Sequence, residues 1–331
     1  MNQRVESKLT LFVKNCQDIR GEFFWQQPMA NRLAALAYAL ADKPIDSDRI
    51  RDCHNMIKGE VGVFSNFRGM LSVYVAAALS LSPDPGQLLN DTLYVYGLLK
   101  EQKFWGNDFL VIAAYEIALN AKKIDYERTA ERTRAFYDEM KANHRFHIGQ
   151  DDYIFAAMLA LSGIDVRIGA TKLKGIHVRL KEEFGRFTNR NSLLTLAQMM
   201  VLGGNTDQCV DNITRLSRTL RKRKIRLDKT YTLPSLGVLT LLEKDHHQLA
   251  DELIAVRDNL RSQKGFGAFS VSIHEILLYA VSMLTHGYIG DAQADITKAG
   301  ITTSVTNLII AQQVAIMTSI AASSAAAAAS C

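Results

Sequence analysis

Residues 88–119 have the sequence LLNDTLYVYGLLKEQKFWGNDFLVIAAYEIAL, whose two halves space their apolar residues differently. In the first half, the residues that we expect to be buried follow one another at intervals of three or four; they are Leu88, Thr92, Val95 and Leu99. This spacing predicts an amphipathic helix, because it places those side chains in one stripe and leaves the other face to water.

The second half of the same stretch predicts a helix of another kind. Residues 109–119 are apolar nearly all round, so a helix formed by them must be covered on most sides. Asn107 or Asp108 stands where a helix needs a side-chain acceptor for its first amides. With Phe104 marking the link, the stretch predicts a hairpin of an outer amphipathic helix and an inner buried helix.

This hairpin recurs along the chain with a period of about 40 residues, close to that of helical solenoids. A large apolar residue marks each link, and successive markers lie 40, 42, 41, 40 and 39 residues apart. A nearly constant interval held five times indicates a repeat protein. The markers are Phe64, Phe104, Phe146, Phe187, Leu227 and Phe266.

Helices at both ends complete the predicted fold. One near residues 6–20 and a closing one near residues 304–320 bring the count to about eight hairpins. We therefore predict an all-α fold with a single helical-repeat domain over residues 1–320 and a low-complexity Ala/Ser tail over residues 321–331. An open α-solenoid and a closed α/α toroid both satisfy the pattern.

Composition excludes several other classes. The 331 residues are 48% hydrophobic with only five prolines, which provides a core and disfavours strands. The first twenty residues are charged, unlike a secretory signal, and the four cysteines have no paired spacing, so we predict a cytoplasmic protein. Residues 299–331 are uncharged, but Gln312 and Gln313 interrupt them, so no transmembrane span is expected.

Two resemblances follow from these residues. An aromatic such as Phe104, Phe187 or Phe266 that leads into an apolar helix, with Gly265 and Gly267 beside Phe266, resembles the α/α toroids of protein prenyltransferases and terpene cyclases. The acidic motif of the cyclases is absent, however, which argues against their chemistry. The stretches GQDDYIFAA at residues 149–157 and QQVA at residues 312–315 resemble an uncharacterised, all-helical bacterial family, which implies no particular activity.

Four polar residues interrupt the apolar helices and are candidate site residues. Glu116, Gln198, His274 and Glu275 lie 12, 11, 8 and 9 residues after their markers, at similar depth in their hairpins. In a closed toroid, Glu116 and His274 could face one lumen as an acid–base pair. The alternative is that each is a buried polar group that bonds locally.

The clearest surface signal is a basic stretch over residues 170–229. It holds fourteen Lys and Arg against five acids, a charge of +9 where the whole chain carries +5. We predict that it forms one ridge on successive outer helices that attracts an acidic protein or an anionic surface. Nucleic acid is disfavoured because no aromatic residues are interleaved for base stacking, and simple solvation remains open. The central residues are Lys172, Lys174, Arg215, Arg218, Arg221, Lys222, Arg223 and Lys224.

The sequence contains no phosphate-binding loop, nucleophile motif or metal-ligand spacing, so no cofactor and no metal are predicted. The leading hypothesis is a non-catalytic helical-repeat scaffold that binds a partner through the basic ridge or a concave inner face. The alternative is a toroidal enzyme or carrier with an apolar, isoprenoid-like substrate in a central lumen. The oligomeric state stays open.

Overall fold

The computed structural model describes residues 2–143, 148–185, 188–204, 209–227, 232–242 and 244–289. Within these ranges every regular element is a helix, with two short 3-10 turns beside fourteen α-helices, so the all-α prediction is confirmed. The α-helices are α1 Gln3–Glu22, α2 Pro28–Leu40, α3 Ser47–Glu60, α4 Ser72–Ser80, α5 Pro85–Glu101, α6 Asp108–Asn120, α7 Tyr126–Asn143, α8 Tyr153–Leu161, α9 Val166–Phe184, α10 Arg190–Leu202, α11 Cys209–Lys222, α12 Ser235–Leu239, α13 His246–Ser262 and α14 Ile273–Ile289.

The helices alternate between two kinds along the chain. Odd-numbered helices bury one stripe and expose the rest, as α11 does with Val210, Ile213, Leu216 and Leu220. Even-numbered helices are buried almost entirely, and every residue of α4 is buried. Successive odd-numbered helices begin 37 to 44 residues apart, which gives seven hairpins in the described part of the chain. The closing helix predicted at residues 304–320 lies outside it.

Side-chain caps fix where several helices begin. Asp46, Asp84 and Asn107 accept hydrogen bonds from backbone amides three residues later, at 3.0, 2.9 and 2.8 Å. For α14 the cap is Ser272, whose Oγ accepts from the amide of Glu275. Asp46 and Asp84 begin the outer helices α3 and α5, and Asn107 and Ser272 begin the buried helices α6 and α14.

Three of the described repeat markers are buried, and one is not. Phe104, Leu227 and Phe266 are each 2% exposed, whereas Phe64 is fully exposed. Phe67, in the 3-10 turn that follows, is 1% exposed and stacks edge-on against Tyr96. The buried position of this hairpin is therefore three residues later than the spacing predicted. Phe146 and Phe187 lie outside the described residues.

The chain divides into two compact units. Among the described residues, the N-terminal unit comprises residues 10–142 and 148–166, and the C-terminal unit comprises residues 2–9, residue 143 and the described part of residues 167–289. In the N-terminal unit α2 packs on α4, α6 packs on α8, and α3 and α5 cover α4 and α6. In the C-terminal unit α12 packs on α10 and α14, and α13 packs on α11 and α14. A single domain over residues 1–320 stays a prediction.

The C-terminal unit also includes the first turn of α1. Val5, in that turn, is fully buried and packs against Gly287 near the end of α14. A Cβ atom at position 287 would lie only 2.5 Å from Val5 Cγ2 and 3.1 Å from Val5 Cα. Glycine therefore allows the two helix backbones to approach closely here.

Candidate binding surface

Glu116 lies in the buried helix α6 of the N-terminal unit and is 2% exposed. One turn later, Asn120 Nδ2 donates to Glu116 Oε2 at 3.2 Å and to the Glu116 backbone oxygen at 2.8 Å. Burial raises the pKa of the Glu116 carboxyl from 4.5 to about 8, and the bond from Asn120 offsets this only in part. The side chain is therefore mainly protonated at neutral pH and bonds within its own helix.

The other three candidate residues lie in the C-terminal unit. Gln198 is fully buried in α10. Glu275 is 6% exposed, and the hydroxyl of Tyr279 donates to its Oε1 at 2.7 Å. His274 is only half-buried and lines a surface cavity. A lumen shared by Glu116 and His274 stays a prediction.

The basic stretch contributes a band of exposed side chains to the C-terminal unit. Lys172 and Lys174 lie on α9, four more cations lie on α11, and two follow directly after α11. All eight are exposed. We call this set the basic ridge; it consists of Lys172, Lys174, Arg215, Arg218, Arg221, Lys222, Arg223 and Lys224.

Ion pairs connect the outer helices that carry the basic ridge. Two of them join α9 to α11 and a third joins the end of α11 to α13, so these helices lie side by side in the C-terminal unit. Each pair is at least one-third exposed and contributes at most about 1 kcal/mol to stability, because water screens it. The pairs are Arg179–Asp211 at 2.8 Å, Arg218–Glu183 at 3.5 Å and Arg223–Asp251 at 2.5 Å.

Apolar side chains are exposed beside these charges. Ile168 and Val178 on α9 are 56% and 47% exposed. Val178 follows Lys174 by four residues and precedes Lys181 by three, so the three side chains share one helix face. Among the described residues of α9 and α11, no exposed large apolar side chain is aromatic.

A cavity of about 380 Å³ lies where the basic ridge ends. Sequence reasoning named two of its residues, Lys224 and His274, as candidates, counted Arg226 only as part of the basic stretch, and missed Arg257. The charged and apolar residues alternate in Lys224, Ile225, Arg226 and Leu227, and this alternation could have indicated that Arg226 is exposed beside Lys224. In the structure the two apolar residues are buried and Arg226 between them is exposed. The lining residues are Lys224, Arg226, Arg257, Ile273, His274 and Leu277.

A second feature that sequence reasoning missed is a set of exposed aromatic side chains in the loops of the N-terminal unit. Phe24, Trp25, Phe64 and Trp105 are between 63% and 102% exposed, and each lies in a loop that leads from an odd-numbered to an even-numbered helix. They include both tryptophans of the chain. The available signal was that both tryptophans fall in links between the two helix types rather than in the helices.

The described residues contain neither a candidate membrane span nor a candidate metal centre. None of the helices there combines the length and apolar character needed to cross a bilayer. Within the same ranges, no three His, Cys, Asp or Glu side chains are grouped so that they could hold a metal ion. The uncharged stretch at residues 299–331 lies outside the described part.

Comparison with known proteins gives one match. The model of a family described as "Protein of unknown function (DUF4003)" matches residues 15–314, which is most of the chain. No curated protein and no solved structure matches.

Proposed function

Since the chain belongs to the DUF4003 family, whose function is unknown, we propose its function from its own surface. The family recognition made from the sequence is confirmed, but it provides no activity to transfer. The protein acts as a non-catalytic helical-repeat scaffold that binds an acidic protein partner through the basic ridge.

The observation that carries this proposal is the exposure of all eight ridge cations on neighbouring outer helices. Residues 170–229 carry a charge of +9, whereas the rest of the chain carries −4. Such an asymmetric field raises the association rate of an oppositely charged partner and repels a basic one. The three exposed ion pairs involve only Arg218 and Arg223 of the ridge.

An acidic protein fits the basic ridge better than nucleic acid does. Proteins that bind single strands stack bases on aromatic side chains, and the exposed apolar residues of α9 are the aliphatic Ile168 and Val178. Aliphatic side chains between lysines favour a peptide that carries both carboxylates and apolar groups. The proposal includes a cytoplasmic location, which the unpaired spacing of the four cysteines supports.

The test measures binding of a labelled 20-residue polyglutamate peptide by fluorescence anisotropy. One variant reverses four ridge cations outside the ion pairs and outside the cavity, namely Lys172→Glu, Lys174→Glu, Arg215→Glu and Lys222→Glu. We expect its affinity to fall at least about tenfold, because several charge-assisted contacts become repulsive. Binding by the unaltered protein should weaken as salt increases.

A matched control separates the basic ridge from net charge. The variant Lys58→Glu, Lys100→Glu, Lys103→Glu and Arg128→Glu changes the charge equally, at exposed positions of the N-terminal unit. It should keep most of the affinity. Equal losses in both variants would show that the ridge is not the binding surface. Tighter binding to a DNA strand or to anionic vesicles than to the peptide would assign another class of partner.

A further inference from the structure

We propose that the cavity beside the basic ridge is a specific site for a phosphomonoester with a short apolar chain. The site is a small-molecule pocket of the C-terminal unit and does not depend on the scaffold function proposed above. It is distinguished from the ridge by its walls, which bring charged and apolar side chains from three separate segments into one concave space.

The end of α11 supplies the first wall. Lys224 adopts a left-handed backbone conformation with φ of 61°, and the amide of Ile225 donates to the Leu220 oxygen at 2.9 Å. This turn closes α11. Ile225 and Leu227 then anchor the following segment in the core, at 1% and 2% exposure. Lys224 and Arg226 are left exposed at the cavity.

Helix α13 supplies the second wall through Arg257. Its Nε donates to Asp258 Oδ1 at 2.7 Å, so this bond uses one edge of the guanidinium. The Nη groups lie on the other edge, and two parallel N–H donors are the geometry that binds phosphate oxygens. Among the described residues that line the cavity, none is acidic.

The first turn of α14 supplies the third wall. Ile273 and Leu277 are one turn apart and form an apolar surface, and His274 lies between them in sequence. The amide end of a 17-residue helix carries a partial positive charge, and the acidic Glu275 lies in the same turn, where Tyr279 donates to it. Ile273 is 43% exposed, so an apolar group placed over it would be removed from water.

Charge and size together select the ligand class. Two arginines and one lysine line the cavity, and the Asp258 carboxylate offsets one of their three charges. The remaining charge of about +2 suits a phosphomonoester of charge about −1.5 to −2 better than a single carboxylate. A volume of about 380 Å³ lies near the lower end of ligand pockets, which span roughly 300–1,000 Å³. The site therefore has room for a headgroup and a short chain.

The test is titration of the full-length protein with hexyl phosphate by isothermal calorimetry. We expect one binding site, with inorganic phosphate and hexanol each binding at least about tenfold more weakly, since each offers only half of the recognised groups. The double variant Arg226→Gln, Arg257→Gln should lose at least about tenfold in affinity. The single variant Ile273→Ser should weaken hexyl phosphate but leave inorganic phosphate unchanged.

The matched control is Arg215→Gln, Lys222→Gln, which removes two exposed ridge charges and should bind hexyl phosphate as the unaltered protein does. Equal weakening by both double variants, or no binding of hexyl phosphate by a protein with native circular dichroism, would overturn the proposal. Failure of polyglutamate binding would leave these results unaffected, so the two proposals fail separately.

Vesicles of phosphatidylcholine containing phosphatidic acid distinguish two sources of such a ligand, a lipid headgroup and a soluble phosphoester. Retention that is lost in the Arg226→Gln, Arg257→Gln variant assigns a lipid headgroup as the source. Binding of hexyl phosphate without retention on vesicles assigns a soluble phosphoester. Both outcomes support the site, whereas retention that the double variant keeps would show that vesicles bind elsewhere and would overturn the lipid assignment.

Discussion

Replacing Glu116 with glutamine tests whether the carboxyl buried in α6 is neutral in the folded protein. Glutamine has nearly the shape of a protonated glutamate, and its oxygen can still accept the bond from Asn120 Nδ2. Any change in stability therefore reports on the cost of ionising the carboxyl rather than on packing.

The sign and size of the effect follow from the pKa of Glu116. The pKa is about 8 in the folded protein, and the ordinary value of 4.5 applies to the unfolded chain. Below pH 4.5 both states hold the proton and Glu116 has no effect. As pH rises toward 8 the unfolded chain loses its proton first, so the folded state becomes less stable by about 1.4 kcal/mol per pH unit. The total loss approaches about 5 kcal/mol above pH 8.

Urea unfolding followed by circular dichroism at pH 5, 7 and 9 measures this effect. Relative to the unaltered protein, Glu116→Gln should be more stable by less than about 1 kcal/mol at pH 5, by about 3 kcal/mol at pH 7 and by more at pH 9. Glu131→Gln, at an exposed position of α7, is the control and should show no such trend. A difference for Glu116→Gln that is the same at all three pH values would refute the neutral carboxyl.

Two further substitutions test the packing. Gly287→Ala should destabilise the protein by about 1–3 kcal/mol in thermal unfolding, because the new methyl group overlaps Val5. Adding Val5→Ala should recover part of this loss. The control Gly175→Ala places its new Cβ more than 4 Å from any other atom and should not destabilise the protein. Tyr38→Phe should cost about 1–2 kcal/mol by removing the buried 2.6 Å hydrogen bond to Ser80 Oγ. In a double-mutant cycle with Ser80→Ala, additive losses would contradict that bond.

The fold class could be predicted because the apolar pattern of a whole helix determines how much of that helix is buried. Residues 109–119 contain so few polar side chains that only a covered helix suits them, and α6 is buried as expected. The loops were harder to predict. Phe64 fitted the 40-residue spacing, yet Phe67 is the buried residue, because the link between α3 and α4 contains an extra 3-10 turn. Spacing between helices does not determine which residue of a loop faces the core.

The candidate sites differ in how far the sequence could indicate them. The basic ridge could be predicted from local composition, since its cations are concentrated in one stretch of sequence and helix periodicity places them on the solvent-exposed faces. The cavity was not visible, because Arg226, Arg257 and His274 are separated by 31 and 17 residues and meet only through packing of α13 and α14. The pKa of Glu116 likewise depends on burial, which the sequence does not quantify.

The alternation of helices also limits where function can reside in this architecture. In each unit the even-numbered helices are covered almost completely, so a polar residue within them, such as Glu116 or Gln198, has little access to a ligand in water. Exposed chemistry is left to the odd-numbered helices and to the loops and first turns that join them. Both proposed surfaces follow this rule: the basic ridge lies on α9 and α11, and the cavity reaches α14 only at its first turn, where His274 remains half-buried. A partner or ligand should therefore be sensitive to substitutions at the outer helices and their links, and insensitive to conservative changes in the buried helices that preserve packing.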